Sequence, residues 1–175
     1  MMNTINANSD VELPSPETVL EWQRDQYSHD ERNHRDILNL SKHDRLKHYA
    51  MHYAKYVKRL LNSDKPIPDE RTAIDILLVS LSAANTIHQV LEVDRGIVGT
   101  NDAVMDYCIA QGDFNNGAEK LDHLELRGTA DLLEGGNHKV FNLSLALCMR
   151  FGVSPAEGMK SQRKVLKDRA FYIRD

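Results

Sequence analysis

The chain has 175 residues, with 22 lysines and arginines against 26 aspartates and glutamates, for a formal net charge of −4. This length corresponds to one domain, and the mild acidic balance without a basic run argues against nucleic acid as a partner. No apolar run approaches the roughly 20 residues of a membrane span, the N-terminus has no signal-peptide pattern, and the 2 cysteines are too few for a disulfide framework. We therefore expect a cytoplasmic protein that does not enter a membrane.

The first predicted elements are a tail and a helix. Residues 1–14 are small and polar, and they predict a flexible N-terminal tail before a single all-α domain over residues 15–175. Ser15, a proline and an acid follow one another, which is the usual opening of a helix, and this helix is expected to end near Tyr27. Residues 28–36 are polar on every side and predict a loop or a solvated extension.

Two strong helices follow. The second helix of the chain begins at Ser41 and ends near Asn62, because apolar residues recur at steps of three and four. These residues are Leu46, Tyr49, Ala50, Tyr53, Val57 and Leu60. The third helix of the chain opens at Pro68 or Asp69 and runs to Leu91, and it is apolar on nearly all sides. Such a helix is expected in the middle of a bundle.

Glycines complicate the second half of the chain. A glycine-rich turn at residues 96–101 precedes a fourth long helix from Asp102, in which residues 112–117 predict a kink or an interruption. The fifth helix ends at Gly152, and its start is not defined by the pattern because glycines occupy positions 135–136.

The overall prediction is an all-α bundle of five or six helices. Residues 154–157 repeat the serine-proline-acid opening and predict a last, basic helix, and no strand pattern competes. The third and fifth helices align with Asp75 opposite Asn142. Either the bundle contains two pseudo-repeated helical pairs, or two buried helices of similar composition align by chance. In the second case the third helix would keep an uncovered apolar side, which predicts a homo-oligomer.

Four basic side chains fall on one side of the second helix, opposite its apolar residues: His48, His52, Lys55 and Arg59. Two histidines four residues apart can bind one metal ion, and the cations beside them can hold phosphate. A solvated basic surface is the alternative interpretation. We predict a phosphate-binding site at these four residues.

Acidic residues cluster on the fourth helix. Glu119 and Asp122 are three residues apart, and His123 and Glu125 follow. Two or three carboxylates that face substrate phosphates are sufficient ligands for Mg²⁺. Charge pairs on the surface of any helix produce the same spacing, so that interpretation stays open.

Asp75 is the most informative single residue. It lies in a helix that is apolar on nearly all sides, where an unpaired carboxylate would be neutralised by desolvation. It therefore either pairs with His48, His52 or Lys55 of the preceding helix or binds metal. We expect Glu119 and Asp122 to face the same cleft as Asp75.

The helix order and two segments, VLEWQ and DERTAIDILLVSLSAANTI, resemble the all-α nucleotide pyrophosphohydrolases of the MazG and dimeric dUTPase type, many of them phage-encoded. The resemblance covers residues 16–92 and extends to 102–172 as a second copy. Asp75 matches the aspartate of the third-helix motif, whereas Thr72 stands in place of its glutamate. The second helix carries KHYAMHYAKY in place of its acidic motif.

The resemblance implies Mg²⁺-dependent hydrolysis of a nucleoside triphosphate to monophosphate and pyrophosphate. The metal ligands would then be Asp75, Glu119, Asp122 and Glu125. The alternative is a non-catalytic regulatory protein on a degenerate scaffold of this type, which binds a nucleotide, another small anion or a partner.

Overall fold

In a computed structural model, which describes residues 13–62, 64, 66–125 and 127–169, the chain is helical and these residues contain no strand. The helices are α1 (Pro16–Asn33), α2 (Arg35–Leu38), α3 (Lys42–Leu61), α4 (Asp69–Ile87), α5 (Arg95–Val98), α6 (Ala103–Asp122), α7 (Thr129–Arg150) and α8 (Pro155–Arg169). The all-α class is confirmed. The eight described helices exceed the predicted five or six, because the four-residue helices α2 and α5 have no periodicity to reveal them.

Local signals place most helix ends correctly. The Ser15 hydroxyl accepts a hydrogen bond from the Thr18 amide at 3.2 Å, and Ser41 caps α3 in the same way. Gly152 ends α7 with a φ of 67°. Helix α4 ends before its predicted limit, because His88 adopts a left-handed φ of 60°. Of the predicted tail, residues 1–12 lie outside the described residues.

Helix α1 continues through the predicted loop to Asn33. Its buried side is polar and includes Gln23, Gln26 and Asp30. The Ser82 hydroxyl of α4 donates to Asp30 at 2.6 Å and accepts from the Gln26 amide at 3.2 Å. The predicted loop or solvated extension is therefore wrong for residues 28–33, because this part of α1 has no apolar periodicity and packs through hydrogen bonds.

Helices α6 and α7 pack closely and run without interruption through their glycines. A Cβ atom at Gly136 would lie 2.7 Å from the backbone nitrogen of Phe114, so glycine allows the two backbones to approach. The predicted interruption in residues 112–117 is absent, because the helix is supported along this contact.

Helices α4 and α7 lie at the centre and contact each other. Helix α3 packs against α4 and α6, while α1 and α8 cover other sides of α4. The side chain of Asp75 is 12% exposed, whereas Asn142 is fully buried, so the two residues differ in depth. The internal repeat stays a prediction. Across the described ranges, every helix is too short or too polar to span a membrane.

Candidate functional site

A cavity of about 370 Å³ lies between α1, α2, α3, α4 and α8 and is called the central cavity below. Four of its lining side chains come from one side of α3, and they form what we call the basic wall: His48, His52, Lys55 and Arg59. Asp75 of α4 lines the same cavity. The structure therefore brings all four predicted phosphate-binding residues together with the predicted core carboxylate.

The basic wall is internally ordered. The rings of His48 and His52 lie 4.6 Å apart, edge to face. The Nδ1 atom of His52 lies 3.0 Å from the Tyr56 hydroxyl and 3.1 Å from the Lys55 ammonium. Because an ammonium can only donate, Nδ1 accepts from Lys55, and the neutral His52 ring carries its proton on Nε2.

Burial and positive charge act together on this wall. Burial, and second the nearby Lys55 charge, lower the pKa of His52 to about 3. The pKa of His48 is lowered by the same two causes, and that of Lys55 is lowered by burial and by Arg59. The histidines are thus neutral at pH 7, and Lys55 and Arg59 supply the positive charge of the wall, while three aspartates line other parts of the cavity.

The ring of Tyr56 positions the two charged side chains of the basic wall, Lys55 and Arg59. This buried ring lies 5.0 Å from the Lys55 ammonium and 5.1 Å from the Arg59 guanidinium carbon. Both contacts are within the range of cation–π attraction. Lys55 and Arg59 are therefore held in place beside the cavity.

Asp75 is paired, but not with the predicted partners. Its carboxylate accepts from the Arg59 guanidinium at 2.8 Å and from the Gln162 amide at 2.9 Å, and Arg71 lies 4.0 Å away. The prediction of a cationic partner on α3 is confirmed, but the partner is Arg59 and not one of the three residues named from the sequence. Helices α3 and α4 run antiparallel, since Tyr49 contacts Thr86 and Arg59 contacts Asp75, so Asp75 meets the last turn of α3.

The other end of the central cavity is lined by polar side chains and by none of the basic wall residues. These polar side chains were not among the residues predicted from the sequence. Gln26, Asp30 and Ser82 meet there. Burial raises the pKa of Asp30, and the hydrogen bonds from Ser82 and Gln26 oppose that shift. Ser82 follows Asp75 by seven residues on α4, which separates the two ends by about 10 Å. The sequence pattern that could have predicted this end is the spacing of four residues between Gln26 and Asp30, which places two polar side chains on one side of a helix.

The structure does not bring Glu119, Asp122 and Glu125 together with Asp75. Glu119 contacts His123 at 3.0 Å, Asp122 contacts Lys47 at 3.0 Å, and Glu125 contacts Lys120 at 2.8 Å. Glu119 and Asp122 border a separate groove between α3 and α6, called the α3–α6 groove below.

The distance of these carboxylates from Asp75 argues against the predicted Mg²⁺ site. Within the described residues, no group of three or more His, Cys, Asp or Glu side chains is arranged to hold a metal ion. The side chains of Glu119 and Asp122 are 62% and 47% exposed, so they behave as the surface charge pairs that the alternative interpretation described. The predicted Mg²⁺ ligands do not form one site.

Comparisons with protein-family models, with curated proteins and with solved structures return no match for this chain. The resemblance to the all-α pyrophosphohydrolases therefore stays a prediction. The fold and the site define an all-α protein with a cavity whose one wall carries positive charge.

Proposed function

We propose that the protein is a non-catalytic binding protein for a small phosphate-bearing ligand of nucleotide size. The observation that carries the proposal is the convergence of the four basic wall residues on one cavity of about 370 Å³. This volume falls within the range of about 300–1,000 Å³ that small-molecule sites occupy. The ligand set for catalytic Mg²⁺ does not converge in the same way.

Each part of the central cavity suits part of such a ligand. Lys55 and Arg59 offer charged donors to a phosphate, and Nε2 of His52 offers a neutral one. Leu78 and Val79 supply an apolar stretch between the cavity's two polar ends. The hydrogen-bonding end around Asp30 suits an uncharged polar group such as a nucleobase.

Calorimetric titration with inorganic phosphate, a nucleoside monophosphate and the matching nucleoside tests the proposal. We expect the monophosphate to bind more tightly than either of its parts, and Lys55→Met to weaken its binding by about tenfold. Lys47→Met is the matched control, because Lys47 lies on the same helix and faces the α3–α6 groove. Equal affinities of the two variants would contradict the proposal.

A turnover screen separates binding from catalysis. The protein is incubated with Mg²⁺ and each ribo- or deoxyribonucleoside triphosphate, and pyrophosphate is measured. We expect no release above background. Release that Asp75→Asn abolishes would overturn the non-catalytic proposal in favour of the hydrolysis that the resemblance implies.

A further inference from the structure

A second, smaller cavity adjoins the central cavity at the end of α3. It has a volume of about 250 Å³, and Lys55 and Arg59 line both cavities. Its other lining residues are Lys58, Asn62, Pro66 and Ile67. We call it the lysine-lined cavity. The two cavities are therefore neighbours that meet at the Lys55 and Arg59 side chains.

The charge of the lysine-lined cavity has one sign. Three cations line it, and no carboxylate among the described residues does. Within the described part of the chain, Lys58 has no ion pair, and the Asn62 amide is already bonded to the Asp64 carbonyl at 2.7 Å. Among the described residues, the Lys58 ammonium is therefore the cation of this cavity that neither forms an ion pair nor contacts the Tyr56 ring.

Compensation of the helix dipole is the simplest structural role for cations in the last turn of a helix. Lys58 and Arg59 lie in that turn, but Lys55 lies before it. The Tyr56 ring holds Lys55 and Arg59 at similar distances, and these two cations line both cavities. A dipole role does not require cations to line a concave surface together with Pro66 and Ile67.

We propose that the lysine-lined cavity binds the further phosphates of a linear phosphate chain whose first phosphate lies at the basic wall. This inference rests on the proposed function. Lys55 and Arg59 would contact the first phosphate and the link to the next, and Lys58 would contact the phosphates beyond. Each added phosphate gains charge-assisted hydrogen bonds with Lys55 and Lys58, whereas Arg59 is shared with the Asp75 carboxylate.

The test compares orthophosphate, pyrophosphate and tripolyphosphate by calorimetry on the full chain at constant ionic strength. We expect tripolyphosphate to bind about tenfold more tightly than orthophosphate. Lys58→Met should remove this gain and leave orthophosphate binding unchanged, while Lys58→Arg should keep it. Lys160→Met, at an exposed position on α8, is the matched control and should change neither affinity.

Two results would overturn the inference while the proposed function stands. One is equal affinity for the three anions with a continued need for Lys55. The other is a gain with chain length that survives in Lys58→Met. If none of the anions binds to the unaltered protein, the proposed function fails, and this inference fails with it.

Discussion

Asp75 joins two helices, because Arg59 of α3 and Gln162 of α8 both donate to its carboxylate. In Asp75→Asn, the Arg59 guanidinium, whose side chain is 22% exposed, loses its counterion. We expect the free energy of unfolding to fall by about 2 kcal/mol. The freed guanidinium should at the same time bind phosphate more tightly.

Urea denaturation and phosphate titration of the same variant measure both effects. Asp113→Asn is the matched control, because it breaks a pair with Lys139 whose side chains are 39% and 51% exposed. That change should cost less than about 1 kcal/mol. A loss of stability in Asp75→Asn without a gain in affinity would contradict the assignment of Arg59 to the anion.

His52 links stability to pH. Its pKa is about 3 in the folded chain against an ordinary value of 6.5, so below pH 6.5 the unfolded chain binds a proton that the folded chain excludes. Stability from this group is present above pH 6.5 and is lost as the pH falls. Between pH 7 and pH 5 the loss should be about 1–2 kcal/mol, and His52→Gln should remove it.

Chemical denaturation at the two pH values measures this difference, with His43→Gln at an exposed position as the control. A bound phosphate favours the charged form of His52, so phosphate should reduce the acid loss in the unaltered protein. Parallel pH dependence in His52→Gln and in the unaltered protein would be incompatible with a buried, neutral His52.

The contact between α6 and α7 depends on one glycine of an adjacent pair. At Gly136 a Cβ atom would meet the Phe114 backbone at 2.7 Å, whereas at Gly135 it would meet no atom within 4 Å. Gly136→Ala should therefore destabilise the protein by about 1–3 kcal/mol, because backbone cannot move aside easily. Gly135→Ala should stabilise it by about 0.5–1 kcal/mol through helix propensity. Thermal melts of both variants measure the contrast, and a shift of the same sign in both would refute it.

The association state follows from how α4 is covered. Helix α4 packs against α1, α3, α7 and α8, and none of its large apolar side chains is exposed. We therefore expect a monomer of 19.9 kDa in sedimentation at micromolar concentration. A dimer would point to the α3–α6 groove, where Met51 is 65% exposed, and Met51→Lys should then dissociate it.

Local chemistry was readable from the sequence by itself. Serine caps and the apolar steps of α3 depend on residues within one or two turns. They predicted a helix from Ser41 to near Asn62, and α3 spans Lys42–Leu61. The same periodicity put the basic wall on one side of α3. The wall does not lie opposite the buried residues as predicted, because buried Tyr49 and Tyr56 line the same cavity beside it. The isolated carboxylate of Asp75 also predicted either a cationic side chain or a bound metal ion beside it, because burial of a charge requires compensation.

Tertiary packing decided the rest, because it depends on which distant residues meet. The hydrogen bond from Ser82 to Asp30 joins residues 52 positions apart, so the local polar step from Gln26 to Asp30 could not show which helix the extension of α1 packs against. The choice of Arg59 for Asp75 depended on the antiparallel alignment of α3 and α4. Glu119 and Asp122 were separated from Asp75 because α6 packs elsewhere on α3, and a spacing pattern contains no information about which side of a neighbour a helix will cover.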